Sequence, residues 1–248
     1  MITDRQSPNF SARPPGFDID LLVLHYTGMG TAKDAIDRLC DPEAKVSAHY
    51  LIDEDGTVHQ LVTEDKTAWH AGQSCWEGKI GINQRSVGIE LVNPGHENGY
   101  RDFPEAQLAA LEELSLQILS RHPMPRRQVL GHSDIAPMRK DDPGELFPWE
   151  RFAKKGIGLW PQHTDMEPVP AQIRDVQTAL RSIGYCIPVD GQDSPVYRAI
   201  LKAFQRHWRP KKVDGSADKD TRQLIAAVQV AVQADIAASP PKGDACDH

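Results

Sequence analysis

Short apolar segments alternate with amphipathic ones along the first part of the chain. The apolar segments predict β-strands over residues 19–25, 48–52, 58–62, 87–92 and 129–130. Apolar residues spaced three and four positions apart predict helices over residues 31–40 and 104–122. Strands that alternate with helices pack as a sheet covered by helices. This part of the chain therefore predicts an α/β fold with a mixed central β-sheet flanked by helices.

The last part of the chain has a different pattern. Helical spacing covers residues 173–183, 194–208 and 220–232, and Gly, Pro and Asp are frequent between these segments. The pattern predicts a small three-helix domain that follows the α/β domain.

Proline-containing segments mark the predicted boundaries. Prolines near the N-terminus predict an irregular arm, and those between positions 161 and 170 predict a linker. The predicted organisation is an arm at 1–17, the α/β domain at 18–160, the linker at 161–170, the three-helix domain at 171–237 and a flexible tail at 238–248.

Composition narrows the class of protein. The chain has 248 residues with a formal net charge of −7, 40% hydrophobic and 25% charged residues, which is ordinary for a globular protein. The aliphatic run at 21–24 is far shorter than the roughly 18 residues that a membrane span requires. The sequence has no stripe of basic residues, so its composition gives no support for nucleic-acid binding. We expect a monomer that has no membrane span and binds no nucleic acid.

Cysteines and the N-terminus bear on the compartment. The 4 cysteines lie far apart, without a Cys-x-x-Cys pair, which favours scattered thiols in a reducing compartment. No apolar segment typical of a signal peptide follows Met1. The sequence as it stands therefore predicts a cytoplasmic protein, or an envelope protein if a leader has been removed.

Histidines and acids lie at strand ends, where rigid folds present functional groups. His25 and His132 each end a predicted strand, and Asp142 and Lys140 follow His132 in a loop. Glu90 lies within an apolar strand, where a carboxylate faces either a polar cleft or a costly burial. Two imidazoles and a carboxylate would suit a catalytic zinc ion, which keeps one position for water. From spacing alone, hydrogen-bonded structural histidines and a solvated Lys-Asp loop are the simpler interpretation, because ten histidines allow many pairs and no compact zinc motif is present.

Six segments in order carry a resemblance to a known family: residues 23–27, 47–52, 68–72, 86–91, 131–137 and 139–144. Together they strongly resemble the zinc-dependent N-acetylmuramoyl-L-alanine amidases, which are related to phage lysozyme-type amidases and peptidoglycan recognition proteins. The resemblance covers roughly residues 18–160. It implies that His25, His132 and Asp142 bind Zn²⁺, that Glu90 is the general base and that Lys140 stabilises the oxyanion.

The chain differs from the phage branch of that family at two positions. Asp142 stands where the phage branch has a cysteine ligand, and Ala48 stands where it has a catalytic tyrosine. Glu90 would therefore act as the base, as in the bacterial branch that serves wall turnover and muropeptide recycling.

The remaining motif residues are candidates for substrate binding: His49, Trp69, His70, Asn93 and Arg139. Each has a plainer alternative. The two histidines could hold the metal ligands in place or could themselves bind the metal. The tryptophan could belong to the core, the asparagine could only form a turn, and the arginine could be a solvated loop residue.

The C-terminal part resembles the three-helix peptidoglycan-binding domain. The resemblance rests on a Leu-x-x-x-Gly-Tyr turn that ends at Tyr185, on Phe204-Gln205 and on Asp214-Gly215. The alternative is a packing module that completes the catalytic domain.

Together the two resemblances imply hydrolysis of the amide between N-acetylmuramic acid, or its anhydro form, and L-alanine. The substrate would be peptidoglycan or soluble muropeptides. The alternative function is a non-catalytic protein that recognises these compounds.

Overall fold

A computed structural model describes residues 2–238 of the chain. The tail predicted at 238–248 lies outside the described residues, except Ala238, which ends the last helix. No helix within the described residues is both long and apolar enough to cross a membrane.

A mixed sheet forms the centre of the fold, as predicted. The strands are β1 (Ile2–Asp4), β2 (Phe10–Ala12), β3 (Leu21–Tyr26), β4 (Tyr50–Ile52), β5 (Val58–Gln60), β6 (Lys66–Ala68), β7 (Ser86–Leu91) and β8 (Val129–Gly131). Six of them pair in the order β1-β5-β4-β7-β3-β8. The β4–β5 pair is an antiparallel hairpin, and the other pairs of this sheet are parallel.

Helices surround this sheet. They are α1 (Ala32–Leu39), α2 (Glu105–Arg121), α3 (His132–Ile135), α4 (Trp149–Ala153), α5 (Ile173–Ile183), α6 (Pro195–Trp208) and α7 (Lys219–Ala238). Helix α1 begins after its N-cap Thr31, whose hydroxyl oxygen accepts a hydrogen bond from the backbone N–H of Asp34. We call residues 173–238, which contain α5, α6, α7 and the segments between them, the helical module.

Strand β3 shows how the layers pack. Successive side chains of a strand point to opposite faces of its sheet. Leu22 and Leu24 belong to an apolar cluster with Leu111 of α2. Leu21 and Val23 belong to another cluster, which contains most of the apolar core of the helical module. The sheet is therefore covered by α2 on one face and by the helical module on the other. These four leucine and valine side chains of β3 are fully buried.

The register of the central strands prepares the site. His25 of β3 stands directly beside Glu90 of β7 in the parallel pair. Paired residues on neighbouring strands project from the same face, so both side chains point to one side of the sheet at its C-terminal edge.

The prediction of an irregular N-terminal arm was wrong. Strand β1 pairs with β5 in parallel, and β2 pairs with β6 antiparallel. Between them, Ser7 and Asn9 are each only 2% exposed, and the Asn9 side chain donates to the carbonyls of Asp41 (2.8 Å) and Val46 (2.9 Å). Three-residue strands leave no apolar run in the sequence, and their hydrogen-bond partners lie far away along the chain.

The prediction of scattered thiols was also wrong. Cys75 and Cys186 form a disulfide across a sequence separation of 111 residues, and it links the loop after β6 to the segment after α5. Cys40 is free and half-buried, and Cys246 lies outside the described residues. Only folding brings the two bonded cysteines together, so their spacing carries no signal.

Candidate metal centre and active site

Three buried side chains meet at the C-terminal ends of the central strands. His25 belongs to β3, His132 begins α3 directly after β8, and Asp142 lies in the following loop. His25 Nδ1 lies 3.0 Å from His132 Nδ1 and 2.9 Å from Asp142 Oδ2, and His132 Nδ1 lies 3.1 Å from the same oxygen. Their exposed fractions are 1%, 3% and 4%. Folding therefore brings together the three residues predicted as zinc ligands.

A chain of hydrogen bonds behind His25 fixes which of its nitrogens is protonated. The Ser86 hydroxyl donates to the Ile82 carbonyl (2.7 Å), so its oxygen accepts the Nε2–H of His70 (3.0 Å). His70 Nδ1 then carries a lone pair and accepts the Nε2–H of His25 (3.0 Å). In neutral His25 the remaining lone pair is on Nδ1, which faces the other two ligand atoms.

A different partner fixes the protonation of His132, which also keeps its lone pair on Nδ1. Its Nε2 lies 3.1 Å from the carbonyl oxygen of Ala71, which can only accept, so His132 donates there and keeps its lone pair on Nδ1. Such second partners normally orient metal-binding histidines.

Two imidazole lone pairs and a carboxylate oxygen thus converge without a proton between them. Acceptors this close repel one another unless a cation lies among them. Tetrahedral zinc with bonds of about 2.0–2.1 Å would space its ligand atoms about 3.3–3.4 Å apart, near the separations of 2.9–3.1 Å found here. The donor set and its spacing fit Zn²⁺.

The protonation state of His25 agrees with metal binding. Burial, and then the neighbouring His132, lower the pKa of His25 to about 4, so the ring is neutral at pH 7.

Glu90 stands beside the three ligands without a partner of its own. Its Oε2 atom is buried and has no hydrogen bond, although the residue as a whole is half-buried. Burial, followed by the charge of Asp142, raises the pKa of Glu90 well above its usual value, and Lys140 opposes this shift. A carboxylate with a raised pKa is suited to take up and return a proton near neutral pH.

A cavity of about 160 Å³ opens onto this group. Glu90, His132, Asp142 and Lys140 all line it, so the predicted base and the predicted oxyanion group face the same space as the ligands. Lys140 is half-buried, and its side chain is part of the wall of this cavity.

Two of the predicted substrate-binding residues are fully buried. His49 accepts a hydrogen bond from Gly88 N–H (3.0 Å) and contacts the Lys66 carbonyl (3.2 Å) through its other nitrogen. Asn93 donates to the Arg101 carbonyl (2.8 Å) and accepts from its own loop. Both side chains have 0% exposure. The structure therefore favours the interpretation in which they hold strands and loops in place.

The other three candidates differ in position. Trp69 is half-buried and lines the cavity, as expected for a substrate contact. His70 also borders the cavity, but its two ring nitrogens are used by His25 and Ser86. Arg139 donates to the carbonyls of Ala71 (3.1 Å) and Gln73 (2.6 Å) and so tethers the loop after β6.

Three residues contribute to the site in ways that their residue types do not reveal. Ser86 acts through its hydrogen bond to His70, and Ala71 acts through its backbone carbonyl. His207 is 3% exposed and donates its Nδ1–H to Asp134 (2.8 Å).

Comparison with known proteins places the chain in a family. A family model described as N-acetylmuramoyl-L-alanine amidase matches residues 15–145, and one described as putative peptidoglycan binding domain matches residues 170–225. The first match covers more than half of the chain. The chain belongs to the N-acetylmuramoyl-L-alanine amidase family.

Individual relatives agree with this placement. The chain is 35% identical over 230 residues to N-acetylmuramoyl-L-alanine amidase AmiD of Escherichia coli, covering 85% of this chain and 82% of AmiD. It is 37% identical over 165 residues to 1,6-anhydro-N-acetylmuramyl-L-alanine amidase AmpD of Haemophilus influenzae, covering 59% of this chain and 88% of AmpD.

Two solved structures share the whole architecture. One is AmiD from E. coli in complex with the substrate anhydro-N-acetylmuramic acid-L-Ala-D-γ-Glu-L-Lys, with 34% identity, a TM-score of 0.76 and coverage of 90% of this chain and 91% of that one. The other is AmpDh3 from Pseudomonas aeruginosa, with 31% identity, a TM-score of 0.74 and coverage of 93% and 98%.

Proposed function

We propose that this chain hydrolyses the amide bond between N-acetylmuramic acid, or its anhydro form, and L-alanine of peptidoglycan stem peptides, in wall turnover or recycling. One observation carries the proposal: three ligand atoms without a proton between them lie beside a buried, unpartnered glutamate oxygen at the edge of a cavity. The substrate named in the AmiD complex supports the choice of bond.

The roles of the residues follow from their positions. His25, His132 and Asp142 would hold Zn²⁺, which when bound polarises a carbonyl oxygen and acidifies water. Glu90 accepts the proton of the attacking water and returns it to the leaving amine of L-alanine, because its raised pKa suits both transfers. Lys140 places a positive charge in the same cavity, where negative charge develops on the carbonyl oxygen.

The non-catalytic alternative has less support. A protein that only recognises the wall has no need of a third metal ligand or of an unpartnered carboxylate beside it. A buried carboxylate oxygen without a hydrogen bond destabilises a fold, so its presence beside the three ligand atoms supports a catalytic role for Glu90.

The helical module supports binding of wall polymer, because residues 170–225 match the putative peptidoglycan binding domain. The substrates in this proposal include both polymeric peptidoglycan and soluble muropeptides. A pull-down of the full chain with insoluble peptidoglycan tests the polymer part.

The disulfide favours an oxidising compartment, which in a bacterium means the cell envelope. The cytoplasmic expectation rested partly on free thiols and loses that support. We propose that the protein acts in the envelope as a monomer; cell fractionation and light scattering test the two statements.

A single substitution tests the proposed chemistry. Glu90→Gln keeps the shape of the side chain but cannot accept the proton, so we expect turnover to fall by about 10²–10⁴-fold with zinc content unchanged. The assay is mass-spectrometric detection of peptide released from anhydro-N-acetylmuramyl-L-alanyl peptides. The matched control is Glu113→Gln, an exposed residue of α2. Parental turnover in Glu90→Gln would refute the role of Glu90, and absence of peptide release by the parent would refute the proposed function.

A further inference from the structure

The helical module contacts the segment of chain that carries two of the three ligands. Helix α3 begins at His132, and the N–H of Ser133 donates to the backbone carbonyl of Asp142 (2.9 Å). The two ligand positions in this segment are thus connected through α3. Whatever fixes α3 also fixes the spacing of these ligands.

Asp134 fixes α3 mainly through residues of the module. Its carboxylate accepts from Gly131 N–H (2.8 Å) in its own loop, from the Tyr185 hydroxyl (2.7 Å) and from His207 Nδ1 (2.8 Å). Asp134 is 2% exposed, and a buried carboxylate is tolerated only when it is hydrogen-bonded. The module supplies two of these three donors, so the segment depends on the module for its position.

Aromatic packing holds the His207 ring in the orientation that this contact needs. The imidazole is stacked between Trp149 of α4 and Trp208 of the module, with ring centroids 3.9 Å and 4.0 Å away and interplanar angles of 15° and 8°. On the other side of the contact, Gly131 leaves no space, because an added Cβ would lie 2.7 Å from Pro143 Cδ. Neither the His207 ring nor the loop at Gly131 can therefore move easily relative to Asp134.

Two further links reach the same ligands. Arg206 of α6 pairs with Asp141 (2.6 Å), the residue before Asp142. The disulfide joins the module to Cys75, whose N–H donates to the carbonyl of Ile135 at the end of α3 (2.9 Å).

We propose that the helical module is part of the metal site, with Tyr185, His207 and Arg206 as positioning residues that set how tightly the site binds zinc. The module therefore does more than bind wall polymer: it holds the segment with His132 and Asp142 in the geometry that accepts the ion. The proposal rests on the proposed function, because it takes zinc as the ion held there.

The test measures zinc affinity of the full chain by competition with a chromophoric chelator. Tyr185→Phe removes one donor to Asp134 and keeps the ring, so we expect zinc affinity to fall by about 10-fold, the scale for partners of metal ligands. At saturating zinc, KM should stay near the parental value. The matched control is Asp235→Asn, which weakens a contact of α7 with Arg127 (3.0 Å). Arg127 precedes β8 at its N-terminal end, whereas the ligand His132 follows the C-terminal end of that strand. We expect the control to lower the melting temperature and to leave zinc affinity within about twofold of the parent.

A second variant, Arg206→Gln, removes the pair with Asp141 and keeps the proposal testable if Tyr185→Phe does not fold. Parental zinc affinity in the folded variants, or an equal loss in Asp235→Asn, would overturn the proposal while leaving the proposed function intact. A parental chain that binds no zinc would overturn the proposed function as well.

Discussion

The hydrogen-bond chain behind His25 makes a specific prediction for Ser86→Ala. This substitution removes the oxygen that accepts the Nε2–H of His70 at 3.0 Å. Ser86 is 0% exposed, so water cannot readily replace the hydroxyl. Without that acceptor, His70 gains by moving its proton to Nδ1 and donating to His25, which then carries its own proton on the nitrogen that faces the metal.

The free-energy cost of Ser86→Ala arises when zinc binds. Binding restores the original protonation of both rings and leaves the His70 N–H buried without a partner, at about 1–3 kcal/mol. Since each 1.4 kcal/mol is a factor of 10, zinc affinity should fall by about 5-fold to about 150-fold. The protein without zinc should lose only about 0.5–1.5 kcal/mol, for the hydrogen bond between Ser86 and the Ile82 carbonyl, because the changed rings still satisfy one another.

The assay is again chelator competition, combined with thermal unfolding of the zinc-free protein. Ser115→Ala is the matched control: Ser115 is also 0% exposed, but its hydroxyl has no hydrogen-bond partner. We expect the control to retain parental zinc affinity and to be as stable as the parent or more so. Zinc affinity of Ser86→Ala within about twofold of the control would refute the argument that this chain sets the protonation of His25.

Two other predictions concern stability. Replacing both Cys75 and Cys186 by serine removes a crosslink over a sequence separation of 111 residues, and we expect a loss of about 2–5 kcal/mol in urea unfolding; identical curves with and without reductant for the parent would contradict this. Burial lowers the pKa of both His25 and His49 to about 4, whereas an unfolded histidine titrates near 6.5. Unfolding therefore takes up protons between these values, so the zinc-free protein should lose up to about 3 kcal/mol per histidine as the pH falls from about 6.5 to about 4. A free energy of unfolding that stays flat over this range would show that these rings are not buried in the neutral form.

The helical module is packed against the α/β part of the chain and is not an independent domain on a linker. Its core is continuous with Leu21 and Val23 on one face of the central sheet, and its polar contacts end at Asp134 beside a metal ligand. A module attached in this way stabilises the catalytic part and cannot be removed without exposing that face. The module can therefore both bind wall polymer and complete the packing of the catalytic part in one structure.

Local patterns were sufficient for much of the fold. Amphipathic spacing located α1, α2, α5 and α6 to within one residue at each end, because that signal lies within one or two turns. The start of α7 was located equally well, but the helix ends six residues beyond the predicted position 232. The apolar run of β3 marked it as a buried strand for the same reason. The ordered motifs indicated the candidates for the zinc site, because the residue type determines which chemical group a side chain carries. These candidates are His25, Glu90, His132 and Asp142.

Only the tertiary structure decided the rest. The disulfide, the short strands β1 and β2, and the donors to Asp134 all join residues that are remote in sequence. Ala71 orients His132 through a backbone carbonyl, and Ser86 acts on His25 through an intervening ring, so neither role is visible in the residue type. The sequence by itself determined which groups could bind a metal and move a proton. Folding determined their separations, their protonated nitrogens and their supports, because those depend on contacts between distant segments.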